Sequence, residues 1–274
     1  MTEVGVQSGV GLVEQRPAKS RRYPWYDSVW LEQYTEAKSL IREIKPSALA
    51  DFVDAFRILH TRPDFRVKQI ARPFNAETFA EIKRVAATLG PSQLELHEAR
   101  TFGRFVVHDH PFFAEVQQRM VPFMSEIVGE PVGVSYNFAS LYTTRGVCPV
   151  HMDAPSAKWT LDLCIDQTSP WPIHFSEVQP WPDAESVQWS HEGWEEQIKR
   201  ANRFTPYAME PGNAIAFSGS SQWHYRDAMP GADSKQSCTL LFLHFIPRGT
   251  SDLVRAKHWA RYFGIPELSR IAGL

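Results

Sequence analysis

VGVSYNFASLYTTRGVCPVHMD, residues 132–153, is where the grammar of this chain changes. Residues 132–142 are rich in β-branched and aromatic side chains and read as a strand. Thr143-Thr144-Arg145-Gly146 reads as a turn, after which a second strand runs into His151. His151, Met152 and Asp153 form the only place in the sequence where a histidine is followed two residues later by a carboxylate. Residues i and i+2 of a strand point to the same side, so this imidazole and this carboxylate can grip one ion together.

Working outward, residues 159–165 alternate Trp, Leu, Leu and Ile with polar partners, and 172–178 is another strand candidate. Residues 179–206 look like an inserted loop with a short helix around 194–203. Residues 214–217 and 238–246 are short apolar strands. Upstream of Pro131 the period is helical. Trp30, Leu31, Tyr34, Leu40, Ile41 and Ile44 mark a helix within 27–44, and Pro46 interrupts it. Leu49, Phe52, Val53 and Phe56 mark a second run over 48–59. Asn75 is placed to cap a third helix through Leu89, which Gly90-Pro91 stops. A fourth starts near Pro111 and carries Phe112, Val116, Met120, Phe123 and Ile127 to Gly129. Short strands after a mainly helical half suggest a jelly roll or distorted barrel backed by helices. The predicted organisation is a flexible leader over 1–22 and one domain over 23–274. Within it, 23–130 is helical support, 131–250 is the β core and 251–274 a C-terminal helix.

With 274 residues, 43% of them hydrophobic and 22% charged, the chain has the composition of a soluble globular protein. A formal charge of −2 gives no basic field for a phosphate backbone, so a nucleic-acid partner is not expected. No stretch resembles a membrane span or secretion leader, and three cysteines without a paired spacing suggest a reducing, cytoplasmic setting.

A His-x-Asp pair with one distant histidine is the donor set of a facial metal triad, which suits non-haem Fe(II) and leaves coordination positions open. The third candidate is His224, in Gln222-Trp223-His224-Tyr225-Arg226. It follows a tight turn at Glu210-Pro211-Gly212-Asn213 and the apolar strand at 214–217. Lys235 and Ser237 fall on one face of the strand that continues through Thr239, Leu241 and Leu243. A cation and a hydroxyl side by side inside a barrel make a carboxylate site, whereas a lysine at a strand's solvated start makes none. Arg226 has three readings: a contact to cosubstrate, a contact to an acidic group of the substrate, or an ion pair with Asp227 or Asp233. The last two are favoured. Arg145 is either a carboxylate-binding group at the barrel mouth or a solvated turn residue. Trp159, Trp171 and Trp223 flank the site in sequence, as core or as substrate wall. His108-Asp109-His110 reads as a turn before the helix at Pro111, not as a metal site. His174, His191, His244 and His258 lack partners at ligand spacing.

The order Tyr142, His151-Met152-Asp153, Thr160-Leu161, Pro211-Gly212, His224 and Lys235 resembles the Fe(II)/2-oxoglutarate-dependent dioxygenases, with spacing similar to the prolyl-4-hydroxylase group. The resemblance covers residues 132–247. It implies a double-stranded β-helix with helices behind one sheet, and iron bound by His151, Asp153 and His224. It further implies 2-oxoglutarate paired with Lys235, assisted by Ser237 and by a hydrogen bond from Tyr142. Arg145, Arg226 and Trp223 are then the candidates for touching substrate. The implied reaction consumes O2 and 2-oxoglutarate, releases succinate and CO2, and oxidises an unactivated C–H bond. Halogenating relatives have a small residue where this chain has Asp153, so hydroxylation, desaturation or cyclisation is expected instead. A small acid, such as an amino acid or a metabolite built from one, is the expected substrate. A peptidyl substrate and a metal-binding jelly roll without oxygen chemistry are the other two readings.

Overall fold

The computed structural model describes residues 22–184, 186–187, 189, 192–231 and 235–273, the side chains of 272 and 273 excepted. The expected leader therefore lies almost wholly outside the described residues, as do His191 and Asp233. In chain order the elements are α1 (Val29–Ile44), α2 (Leu49–Ala55), β1 (Lys68–Ile70), α3 (Ala76–Ala87), β2 (Arg104–His108), α4 (Pro111–Arg119) and α5 (Val121–Val128). The strands β3 (Val132–Tyr142), β4 (Cys148–His151), β5 (Trp159–Gln167) and β6 (Ile173–Val178) follow. Then come α6 (Trp194–Ala201), β7 (Phe204–Tyr207), β8 (Ala214–Phe217), β9 (Gln222–Arg226), β10 (Cys238–Pro247) and α7 (Ala256–Phe263).

The strands form two antiparallel sheets, of order β1-β8-β5-β10-β3-β2 and β4-β9-β6-β7. From β3 to β10 the chain passes back and forth between them, which is the winding of a double-stranded β-helix. Alternation along each strand then sorts its side chains. On β10, Leu241, Leu243 and Phe245 join Leu161, Leu163 and Ala216 in a cluster with Ile82, Val85, Phe113, Val116 and Met124 of α3, α4 and α5. The even residues Cys238, Leu240 and Phe242 face the space between the sheets. A second cluster seals α1, α2 and α7 through Trp30, Ile41, Phe52, Phe56 and Trp259.

Local chemistry accounts for most boundaries. Asn75 caps α3 by accepting from Thr78 N–H at 2.8 Å, and Gly129 ends α5 in a left-handed conformation. The single helix expected over 111–127 is two, because Pro122 cannot supply an N–H to a continuous ladder and the chain resets at Met120. The mainly helical first half also contributes β1 and β2, short strands at the two edges of the larger sheet. The inserted loop contains α6 as expected, and β7 in addition. Asp109, with φ of 46°, turns the chain from β2 into α4 and accepts from Asn137 N–H at 3.1 Å.

Candidate metal centre and cavity

His151 and His224 are direct partners in the antiparallel register of β4 and β9, so both rings project from neighbouring strands into the space between the sheets. Their centroids are 4.2 Å apart. Asp153, just past the end of β4, places Oδ1 3.3 Å from His151 Nε2 and 3.7 Å from His224 Nε2. Donor atoms of the three residues lie within 4.8 Å of one another. Both histidines are buried.

The tautomers are set by the backbone. His151 Nδ1 lies 2.8 Å from the Pro149 carbonyl, and His224 Nδ1 lies 2.9 Å from that of Gln222. A carbonyl only accepts, so each Nδ1 carries a proton, and each Nε2, turned toward Asp153, is the nitrogen left to a metal ion. Burial, with the nearby His151, lowers the His224 pKa to about 4 and keeps that ring neutral. Burial acts the same way on His151, but the Cys148 thiol and Asp153 outweigh it and raise its pKa. Asp153 is held well below the usual carboxylate range: burial opposes its charge, but the two histidines win. Two imidazoles and an ionised carboxylate converging in this way fit a divalent ion such as Fe(II). The Tyr26 hydroxyl lies 2.7 Å from His151 Nε2, and an ion would replace it there.

Room for Asp153 is made by a glycine. A Cβ on Gly219, in the β8–β9 loop, would fall 2.1 Å from Asp153 Oδ2, and the Gly219 carbonyl accepts from Asp153 N–H at 2.9 Å.

The triad opens into a cavity of about 270 Å³. Arg226, on the same face of β9 as His224, lines it and is buried. Its Nη2 donates to Asp162 Oδ2 at 2.9 Å, and its guanidinium lies over the Trp171 ring at 5.0 Å. Burial lifts the Asp162 pKa to about 6 against the pull of Arg226. A second buried arginine, Arg104 of β2, pairs with Glu98 and donates to the Tyr142 hydroxyl at 2.7 Å. Asp27 lines the same cavity; its Oδ2 accepts from Ala154 N–H at 2.6 Å. Burial and the charge of Asp153 raise its pKa to about 7. Tyr136, Phe138, Phe242 and His244 form an aromatic wall, with Tyr136 stacked on His244 at 4.2 Å and Phe138 on Phe242 at 4.7 Å.

The sequence-derived candidates therefore divide. His151, Asp153, His224, Tyr142 and Arg226 meet at the cavity. Lys235 and Ser237 do not: both are exposed and precede the first residue of β10, and Ser237 exchanges hydrogen bonds with Thr168. Their parity is also wrong, since the odd residues of β10 face the helices. Arg145 is exposed in its turn and absent from the cavity lining. Trp223 alternates with His224 and so points outward, edge-on to Trp25 at 4.9 Å. Arg226 pairs with Asp162, a partner from the neighbouring sheet and not one of the adjacent aspartates. Asp27, Tyr26 and Arg104 were not among the candidates; each comes from an element with no motif of its own. His244 stood without ligand spacing, and only the inward parity of β10 reveals it.

No family model matches the chain, and no curated protein matches it at significance. Among solved structures it is similar to EctD from S. alaskensis in its apoform, at 14% identity over 69% of this chain and 81% of that one, with a TM-score of 0.48. It is also similar to SnoN, the non-heme alpha-ketoglutarate-dependent epimerase of nogalamycin biosynthesis, at 12% identity over 77% and 90%, TM-score 0.47. A third is HygX from Streptomyces hygroscopicus, with nickel and 2-oxoglutarate bound, at 10% identity over 72% and 86%, TM-score 0.48.

Proposed function

We propose that this chain is an Fe(II)- and 2-oxoglutarate-dependent oxygenase that hydroxylates, desaturates or cyclises a small molecule. The observation that supports it most is the pairing of a backbone-oriented metal triad with a buried arginine two residues after its last histidine, on the same face of β9. His151, Asp153 and His224 hold the metal. When bound, the metal with 2-oxoglutarate and O2 supplies the oxidising power for an unactivated C–H bond. The protein's residues position and exclude. Arg226 anchors the distal carboxylate of the keto acid, in the role expected of Lys235, with Asp162 and Trp171 fixing the guanidinium so that little side-chain freedom is lost on binding. Tyr142, oriented by Arg104, borders the same end. Asp153 supplies the carboxylate donor that halogenating relatives lack. A cavity of about 270 Å³ suits a small molecule.

The test is anaerobic titration of the protein with Fe(II) and then 2-oxoglutarate, monitored in the visible. A charge-transfer band from the chelated keto acid is expected. The double variant Arg226→Met/Asp162→Asn, which leaves no lone buried charge, should retain metal binding and weaken the keto acid by about tenfold or more. Lys235→Ala should behave as the parent. Metal uptake with no keto-acid band would leave the molecule a metal-binding jelly roll and end the oxygenase reading.

A further inference from the structure

We propose that the cavity takes a small cationic substrate, an amine that also carries a hydrogen-bond-accepting oxygen. Asp27 receives the positive charge and His244 donates to the oxygen. In calling the ligand a substrate, this rests on the oxygenase reading.

Arg104 and Arg226, the two cavity arginines, are each bound to a carboxylate, Glu98 and Asp162. Asp27 and Asp153 remain, facing neutral His224 and His244 and a His151 ring that a bound metal keeps neutral. A divalent ion and a dianionic keto acid bring equal and opposite charge, so the loaded cavity keeps the negative surplus of Asp27 and Asp153. Asp153 is committed to the metal. Asp27 has no arginine or lysine within ion-pair distance among the described residues, and its single hydrogen bond comes from a backbone N–H. A part-buried carboxylate without a counter-charge asks for a cation, and an incoming substrate anion finds Arg104 held by Glu98 and Arg226 held by Asp162 and the keto acid. The small acid expected from the sequence is thereby reversed.

The aromatic wall favours the same sign. Ring faces attract cations, as Phe138 already does toward Arg104 at 5.5 Å. His244 supplies an independent observation. It is 2% exposed, lines the cavity, and its Nε2 has no partner. Its Nδ1 lies 3.0 Å from the hydroxyl of Thr160, for which it is the only side-chain partner among the described residues. That buried hydroxyl must donate somewhere, so it donates to Nδ1, and Nε2 carries a proton. A buried N–H aimed at a ligand site requires an acceptor.

Three molecules of one shape separate the possibilities: phenylalaninol, 3-phenyl-1,2-propanediol and 3-phenyllactate, which are cationic, neutral and anionic. Binding is measured by calorimetry to protein loaded with Zn(II), which prevents turnover, and 2-oxoglutarate, after uptake of each has been measured separately. Phenylalaninol should bind about tenfold or more tighter than the diol, and phenyllactate weakest. Asp27→Asn keeps an acceptor for Ala154 N–H; it should bring phenylalaninol to the level of the diol and leave the diol unchanged. The same order should hold in the ion-free protein. A failure of metal or keto-acid uptake would thus overturn the oxygenase reading alone. Phenyllactate binding as well as phenylalaninol, or a cation preference that survives Asp27→Asn, overturns the proposal.

Discussion

Gly219 carries no functional group, yet the donor set depends on its missing side chain. Asp153 lies against that glycine, and its main-chain N–H donates to the carbonyl of the same residue. Gly219→Ala must push either the carboxylate or the loop. Metal affinity, read by Co(II) or Zn(II) titration, should fall about 10- to 100-fold in a protein whose circular dichroism is unchanged. Unchanged affinity would show that the carboxylate has slack. Arg226→Met alone strands Asp162 as a buried lone charge and should cost about 3–5 kcal/mol in denaturant unfolding, much of it recovered by adding Asp162→Asn. Legibility at this scale follows from locality. His151 and Asp153 declare themselves because a strand's period of two puts both on one side. Asp27 and Tyr26 precede α1, and nothing near them in sequence says that they return to β4.

At the scale of elements, periodicity located the helices and strands, but parity decided which residues work. The notion of a cation inside β10 failed because Lys235 precedes the strand and shares the helix-facing parity of Leu241 and Leu243. Nothing in an apolar run such as β10 says which set of alternate residues is inward, since both sides are buried. His244, on the inward parity, has a measurable consequence. Burial lowers its pKa to about 4, below the ordinary histidine value of about 6.5, so folding favours the neutral ring. Its stabilising contribution is complete above pH of about 6.5 and is lost as pH falls toward about 4, up to about 3 kcal/mol. Melting temperatures of the parent and His244→Gln should therefore converge, or cross, between about pH 7.5 and about pH 4.5. His151 and His224 are common to both proteins and cancel; a constant difference would exclude the linkage. The cap on α3 gives a simpler check. Asn75→Ala should cost about 1 kcal/mol in urea unfolding, with no change at the metal site.

At the scale of the whole molecule, the two sheets are supported unequally. The six-stranded sheet is backed by α3, α4 and α5 through a broad aliphatic cluster. The four-stranded sheet, which carries His151 and His224, is backed instead by the segment that precedes α1. Tyr23 and Trp25 are buried there against Val150, Met152 and Trp223. Trp25 packs on Tyr23, Trp189 and Trp223 at centroid distances of 5.3, 5.6 and 4.9 Å. The two residues after Trp25 are Tyr26 and Asp27, which enter the cavity. The outer face of the sheet and one side of the site are thus fastened by the same indole. Trp25→Ala should cost about 3–5 kcal/mol and, in hydrogen exchange, lower protection over residues 22–28 more than over β4 and β9. Because the donor atoms belong to β4, its exit and β9, metal affinity should stay within about threefold. If affinity collapsed together with protection, the segment would be shaping the triad itself, and the division between a barrel that holds the ion and a strap that completes the cavity would not stand.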